Sequence, residues 1–203
     1  MRILVAGDIH GDKSAAKALS EKAELENVDL VILSGDITMF GKGYEGLLGY
    51  FARKGIKTGL IHGNHDDPSI VDFLSEVYSM TNFHGAGRKY ESIGIFGCGG
   101  ANVGLSQMSE KEIYDTVLNA FYSIYSLDKV DKKVMISHVH PSGTNIESMS
   151  KFVKGSSGLR RAVERLKPDF LFCSHVHEAK GLEEKIGNTT VFCVGKEGKI
   201  LDL

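Results

Sequence analysis

Short apolar runs alternate along this chain with segments whose apolar residues recur at helical spacing. The runs at 3–6, 30–33, 57–61, 92–97, 133–137 and 170–173 have the length and bounding residues of buried strands. Between them, 13–25, 44–54, 69–78 and 158–166 read as helices, and a longer helix runs from the cap Ser109 to about Tyr125. Pro68 suits the first turn of 69–78. Ser109 with Glu112 three residues on forms a capping-box pattern. Pro168 stops the helix before it. After residue 173 the runs are short and separated by the turn signals Gly187-Asn188 and Glu197-Gly198, which predicts an antiparallel finish. The stretch 141–157 is rich in Ser and Gly and reads as a long polar loop, a length often tied to function. No repeat, low-complexity tract or linker interrupts the alternation, so 1–203 is expected to form a single α/β domain.

Composition narrows the class without naming a function. The 203 residues are 42% hydrophobic and 25% charged, the balance of an ordinary soluble globular protein. A formal net charge of −2 gives no overall pull toward nucleic acid or an acidic membrane. Cys98, Cys173 and Cys193 are odd in number, widely spaced and set in apolar runs, so they are expected as buried core thiols. The N-terminus reads as a strand with no signal-peptide core, and no apolar stretch approaches the roughly 18 residues of a membrane span. A cytoplasmic location is therefore expected, and the Asn188-Thr189-Thr190 sequon is read as chance.

The chemistry lies where the apolar runs end. Val5-Ala6 leads into Gly7-Asp8-Ile9-His10, and Ile32-Leu33 into Ser34-Gly35-Asp36. Leu60-Ile61 leads into His62-Gly63-Asn64-His65-Asp66. Met135-Ile136 leads into Ser137-His138-Val139-His140, and Phe172-Cys173 into Ser174-His175-Val176-His177. Ligand sites in α/β sheets lie outside the carboxyl ends of the strands, so these turns can converge. Asp8, His10, Asp36, Asn64, His65, His138, His175 and His177 would then share one pocket. Oxygen donors with imidazoles suit Mn, Fe, Co, Ni or Zn, and no cysteine is required. Residues two apart in an extended segment point the same way, which pairs Asp8 with His10 and His175 with His177. A lone Gly-Asp turn or His-x-His pair is ordinary. All of these turns together, with these residue types, are not what packing alone would select.

On these residues the chain resembles the calcineurin-like metallophosphoesterases, whose pattern is D-x-H, G-D, G-N-H-[DE], a His, and G-H-x-H. Here it reads Asp8-Ile9-His10, Gly35-Asp36, Gly63-Asn64-His65-Asp66, His138 and Ser174-His175-Val176-His177. The resemblance implies an α/β fold in which a two-sheet β-sandwich is flanked by helices on both outer faces, four layers in all. It implies two divalent ions. Asp8, His10 and His177 would hold one, Asn64, His138 and His175 the other, and Asp36 would bridge them. His65 would face the leaving oxygen of the substrate as the catalytic residue, with Asp66 or Asp67 as candidates to hold its other nitrogen. Two ions about 3.5–4 Å apart would share a water, and the hydroxide formed would attack phosphorus in line.

Departures from the family pattern point to the substrate. Met39 and Phe40 stand where the protein phosphatases of this family carry Asp-Arg, so a bidentate phosphate clamp is replaced by apolar surface. That favours a small organic phosphodiester, such as a cyclic nucleotide, with its base or alkyl group on Phe40. Ser174 replaces the usual Gly, and the ligands are expected to hold. His140 is an extra histidine that would line the substrate pocket or take the place of His138. The stretch from Gly155 to Glu164 also resembles a small stand-alone prokaryotic branch; there Ser156 and Ser157 would cap a helix or contact phosphate, and Arg160 and Arg161 would form a solvated face. The alternatives are a phosphomonoesterase, a nuclease, which the charge balance disfavours, and a metal-free scaffold like the retromer subunit of this fold. The sequence is silent on oligomeric state.

Overall fold

The computed structural model describes residues 1–125, 130–150 and 152–203. Its first sheet is built from β1 (Arg2–Ala6), β2 (Leu30–Ser34), β3 (Thr58–Ile61), β4 (Thr81–Asn82) and β11 (Lys199–Asp202), in the order β11-β1-β2-β3-β4. The second holds β5 (Gly87–Tyr90), β6 (Ile93–Cys98), β7 (Lys132–Ser137), β8 (Phe170–Cys173), β9 (Glu183–Ile186) and β10 (Thr189–Cys193), in the order β5-β6-β7-β8-β10-β9. Both sheets have a parallel centre, and three of their four edges are antiparallel, β11 on β1, β5 on β6 and β9 on β10, while β4 runs parallel to β3. The strands β1, β2 and β3 run parallel in one sheet, as do β6, β7 and β8 in the other.

Alternation along each strand divides the core into layers. Ile3, Val5, Leu30, Ile32 and Ile61 from the first sheet meet Ile95, Val134, Ile136, Phe172 and Phe192 from the second. The intervening Leu4, Ala6, Val31, Leu33 and Leu60 face outward onto helix α1 (Lys13–Leu25), α2 (Gly49–Arg53) and α3 (Pro68–Val77). Phe96, Met135, Leu171 and Cys173 likewise face α4 (Glu110–Tyr125) and α6 (Ser157–Leu166). Every central strand is therefore apolar on both faces, which is why these strands read as continuous runs. The layers are helix, sheet, sheet, helix, as the sequence reading expected. Cys98, Cys173 and Cys193 are free and buried.

Helix starts follow local chemistry. The Asp12 carboxylate accepts the Ser14 and Ala15 N–H groups ahead of α1, and Asp67 caps α3 with Pro68 in its first turn. Ser109 and Glu112 bond reciprocally to each other's backbone N–H at the start of α4. Three expectations need correction. The helix expected at 44–54 shrinks to α2, because Gly46 takes a left-handed φ of 72° and the chain ahead of Gly49 is turns. The expected loop at 141–157 contains the short helix α5 (Asn145–Met149), capped by Thr144; Lys151 of that stretch lies outside the described residues. The strands β4 and β5 were not anticipated. Among the described residues no helix is long and apolar enough to cross a membrane.

Candidate metal centre

The turns after β1, β2 and β3 meet those after β7 and β8 at one end of the two sheets. Backbone bonds stitch the first two together: Asp8 N–H donates to Gly35 O (3.1 Å), and His10 N–H to Asp36 O (2.8 Å). Asp8, His10, Asp36 and His175 all have positive φ, at 56°, 49°, 49° and 74°. Each non-glycine residue in that region costs about 1–2 kcal/mol, and such strain concentrates where side chains must be aimed. The third turn packs against the second so closely that a Cβ on Gly63 would lie 2.1 Å from Asp36 Oδ1. Only glycine fits there.

Asp66 locks this arrangement. Its buried carboxylate accepts Gly63 N–H (2.8 Å), Ile37 N–H (3.1 Å), Thr38 N–H (2.7 Å) and the Thr38 hydroxyl (2.7 Å). It is fully engaged away from His65, and Asp67 is engaged as the cap of α3. Neither orients His65, whose Nδ1 is buried without a partner. The expectation that one of these carboxylates holds that nitrogen is corrected.

The expected side chains fall into two groups. The ligand-type atoms of Asp8, His10 and His177 lie within 4.8 Å of one another, and so do those of Asp36, His138 and His175. Asn64 joins the second group, its Oδ1 2.8 Å from His138 Nε2. Asp36 stands between the groups: its Oδ2 is 3.4 Å from His138 Nε2, 3.7 Å from His10 Nε2 and 3.9 Å from His65 Nε2. Each group draws residues from both sheets. His65 sits at the open side, and Phe40, 59% exposed, places its ring centroid 4.5 Å from that of His65. His140 departs from expectation. It is wholly buried behind His175, with ring centroids 6.3 Å apart and both ring nitrogens unpartnered, and so does not line a substrate surface. His138, not His140, joins Asp36.

The electrostatics are those of a crowded polar centre. Burial lowers the His175 pKa to about 3, with repulsion from His138 adding to it. Burial also lowers that of His10, against the pull of Asp36 and Asp8. The Asp8 carboxylate, 3.7 Å from its Nε2, raises that of His177. For His138 burial works downward, but the Asp36 carboxylate outweighs it and holds the imidazole well above its usual range. Burial would raise Asp36, and His138 instead holds it well below the carboxylate range.

Several polar atoms are unsatisfied by protein alone. His175 Nε2 and His10 Nδ1 are buried without a partner, while the Nε2 atoms of His10 and His177 lie within hydrogen-bond reach of each other at 3.3 Å. Carboxylate, amide oxygen and imidazole converging in this way suit first-row divalent metals. The residues present fit two such ions.

Beyond the expected residues, a groove of about 350 Å³ opens beside the first group, lined by Asp8, His10, His177, Lys180 and Lys196 among others. Lys180 is paired with Glu197 and Lys196 with Asp12. These lysines sit on separate loops, and no spacing in the sequence marked them. The Ser156 hydroxyl accepts Leu159 N–H and caps α6, and the Glu110 carboxylate takes the Ser156 and Ser157 hydroxyls and Gly158 N–H. That helix end is thus filled from within. Arg160 pairs with Glu164, and Arg161 lies over the Tyr114 ring.

Comparison with known proteins agrees with this architecture. A family profile described as calcineurin-like phosphoesterase matches residues 1–179. An uncharacterised protein of Methanocaldococcus jannaschii, MJ1162, is 28% identical over 94% of this chain and 86% of its own length. The crystal structure of TT1561 of Thermus thermophilus superposes with a TM-score of 0.71 at 18% identity, covering 97% of this chain and 90% of that one. A structure described as a novel archaeal phosphodiesterase gives 0.56 at 15% identity, covering 96% and 84%. At these identities the solved structures bear on the fold alone.

Proposed function

Starting from the fact that the chain belongs to the calcineurin-like phosphoesterases, we propose that it hydrolyses small phosphodiesters with two divalent ions. The observation that carries this reading is the place of Asp36 Oδ2, within 3.4–3.7 Å of a histidine from each ligand group. Oδ1 accepts His65 N–H at 2.9 Å, which leaves Oδ2 facing both groups, so this one carboxylate would serve both ions. Asp8, His10 and His177 would hold one ion, and Asn64, His138 and His175 the other. Mn, Fe, Co, Ni or Zn suits such a donor set, with manganese the first to try. When bound, the pair supplies Lewis acidity and a water whose pKa is brought toward neutrality.

The remaining residues bind, orient and move protons. Asn64 is neutral and adds a ligand without adding negative charge beside an anionic phosphate. His65 holds its Nε2 toward the centre and its Nδ1 inward, so the outer nitrogen is the one that can deliver a proton to a leaving oxygen. Phe40 lies against His65 and offers an aromatic face to the organic group leaving there. The groove along His177 and Lys196 leaves room for the second ester group. A diester has two substituents on phosphorus, and two separate surfaces flank the centre to receive them. A cyclic nucleotide, whose two ester oxygens belong to one sugar, would instead lay its single nucleoside on the Phe40 side.

The test is hydrolysis of bis-p-nitrophenyl phosphate against p-nitrophenyl phosphate by metal-stripped protein given Mn, Ni, Co or Zn. Metal-dependent turnover with preference for the diester is expected. Preference for the monoester would make the protein a phosphomonoesterase. No turnover and no bound metal would leave the scaffold reading in its place.

A further inference from the structure

Ser174 stands where the family pattern carries glycine, and its hydroxyl is not idle. Ser34, the last residue of β2, and Ser174, the first after β8, belong to different sheets, and both are buried. Ser174 Oγ donates to Ser34 O at 2.9 Å, and the two hydroxyl oxygens lie 3.2 Å apart. Ser34 Oγ reaches on to Ala6 O at 3.1 Å, which ties in the end of β1. Room for the pair is made by Gly7, where a Cβ would lie 2.5 Å from Ser34 Oγ and 2.7 Å from Ser174 Cβ.

His138 rests on this pair. Its Nδ1 lies 3.0 Å from Ser34 O and 3.0 Å from Ser174 Oγ. The donors and acceptors resolve in one way. Ser174 gives its only proton to Ser34 O, so its oxygen accepts from His138, and a carbonyl can only accept. Nδ1 therefore carries a proton, and Nε2 is left to face Asn64 and Asp36.

We propose that the Ser34–Ser174 pair is a positioning device for the second metal position. It fixes the His138 ring and its tautomer, and it pins the end of β2, which precedes Asp36, to the end of β8, which precedes His175. The inference rests on the two-ion reading above. Partners of this kind behind a ligating histidine change metal affinity by about 10–100-fold. The effect is local: the Ser174 hydroxyl meets His138 and Ser34 O, and its removal leaves the Ser34–Ala6 bond behind the first position in place, so that position keeps its own affinity.

The experiment uses full-length protein titrated calorimetrically with Mn²⁺, with unmodified protein expected to take up two ions. A His177→Ala background weakens the first position and isolates the second. A His138→Ala background does the reverse. Adding Ser174→Ala is expected to weaken Mn²⁺ binding about 10–100-fold in the His177→Ala background and to leave the His138→Ala background unchanged. A merely structural role would weaken both equally, and that result overturns the proposal, as does no change in either. Ser174→Gly, which restores the family residue, is expected to behave as Ser174→Ala does, and it stands in should the alanine variant fold poorly. Paramagnetic resonance gives a second readout: unmodified protein shows a coupled Mn pair at two equivalents, and Ser174→Ala shows isolated Mn. Uptake of fewer than two ions by unmodified protein overturns the two-ion reading itself and the positioning role with it.

Discussion

Asp36 Oδ2 lies 3.4 Å from His138 Nε2, and both side chains are closed to solvent. A buried carboxylate and a buried imidazole stabilise each other's charge when no ion is present, and the same oxygen faces His10 at 3.7 Å. Asp36 thus stands between the two ligand groups, whereas Asp8 belongs to the first alone. Asp36→Asn is expected to abolish retention of both ions after dialysis, and Asp8→Asn of one. Metal content per chain, measured by mass spectrometry, checks the difference. Equal losses in the two variants would show that Asp36 is not shared.

His65 is not a member of either ligand group, although its Nε2 stands 3.9 Å from Asp36 Oδ2. His65→Ala is therefore expected to keep its metal and lose turnover. Loss of a positioned proton donor costs about 10²–10⁴-fold in kcat. The loss should be smallest for esters with a good leaving group such as p-nitrophenolate, which needs little protonation, and largest for alkyl esters. A flat dependence on leaving group would remove His65 from the role of acid.

Phe40 packs on His65 from an exposed position. Phe40→Ala is expected to raise KM for aryl diesters by about 3–10-fold, the scale of an aromatic contact worth about 0.5–1.5 kcal/mol. Inhibition by inorganic phosphate, which has no organic group, should stay within twofold (about 0.4 kcal/mol). A matching rise in both constants would mean that the ring supports the metal centre and not the substrate.

Much of this arrangement was legible before the fold was known. Strands such as 30–33 are apolar on both faces because a sheet lies on one side and helices on the other, so continuous runs marked them. The five turns of polar residues were visible because parallel strands deliver their loops to one end. What escaped had no local signature. Gly87–Tyr90 is half-buried at a sheet edge and carries charge, so its pairing with β6 left no apolar run to read. Asn145–Met149 is a single capped turn inside polar sequence, too short for periodicity. Asp66 looked like a partner for its neighbour His65, but three of the four bonds to its carboxylate come from residues 28 and 29 positions away. His140 has the spacing of a ligand and lies wholly buried beside His175 instead, away from Asp36. Tertiary bonds between distant residues are set by the packing of the sheets and leave no spacing in the sequence.

The bonds of Asp66 make a stability prediction. Four donors from two separate turns converge on one buried carboxylate. Asp66→Asn replaces an acceptor oxygen with an NH₂ group that faces N–H donors, and hydrogen bonds to charged groups are worth about 1.5–3 kcal/mol each. A loss of about 3 kcal/mol or more is expected in urea unfolding, with residual metal binding weakened because Asp36 and Asn64 are displaced together. Retained stability with lost activity would instead assign Asp66 a part in the chemistry.

Glu110 links the helical layer to the long loop. Its carboxylate accepts the Ser156 hydroxyl at 2.6 Å and Gly158 N–H at 2.6 Å at the start of α6. Burial would raise its pKa, but these bonds prevail and hold it below the usual value of 4.5. A depressed folded pKa means the folded state holds the proton less tightly than the unfolded chain. The stabilisation is therefore fully present above about pH 4.5 and is lost as the pH falls through the folded value. Glu110→Gln should lower stability at neutral pH by about 1 kcal/mol, the partial exposure of the carboxylate keeping the effect small. The difference between the two proteins, followed by thermal melts from pH 7 downward, should stay constant until about pH 4.5 and then close. A gap that widened in acid would reverse the sign of the shift and exclude the ionised carboxylate as the anchor of α6.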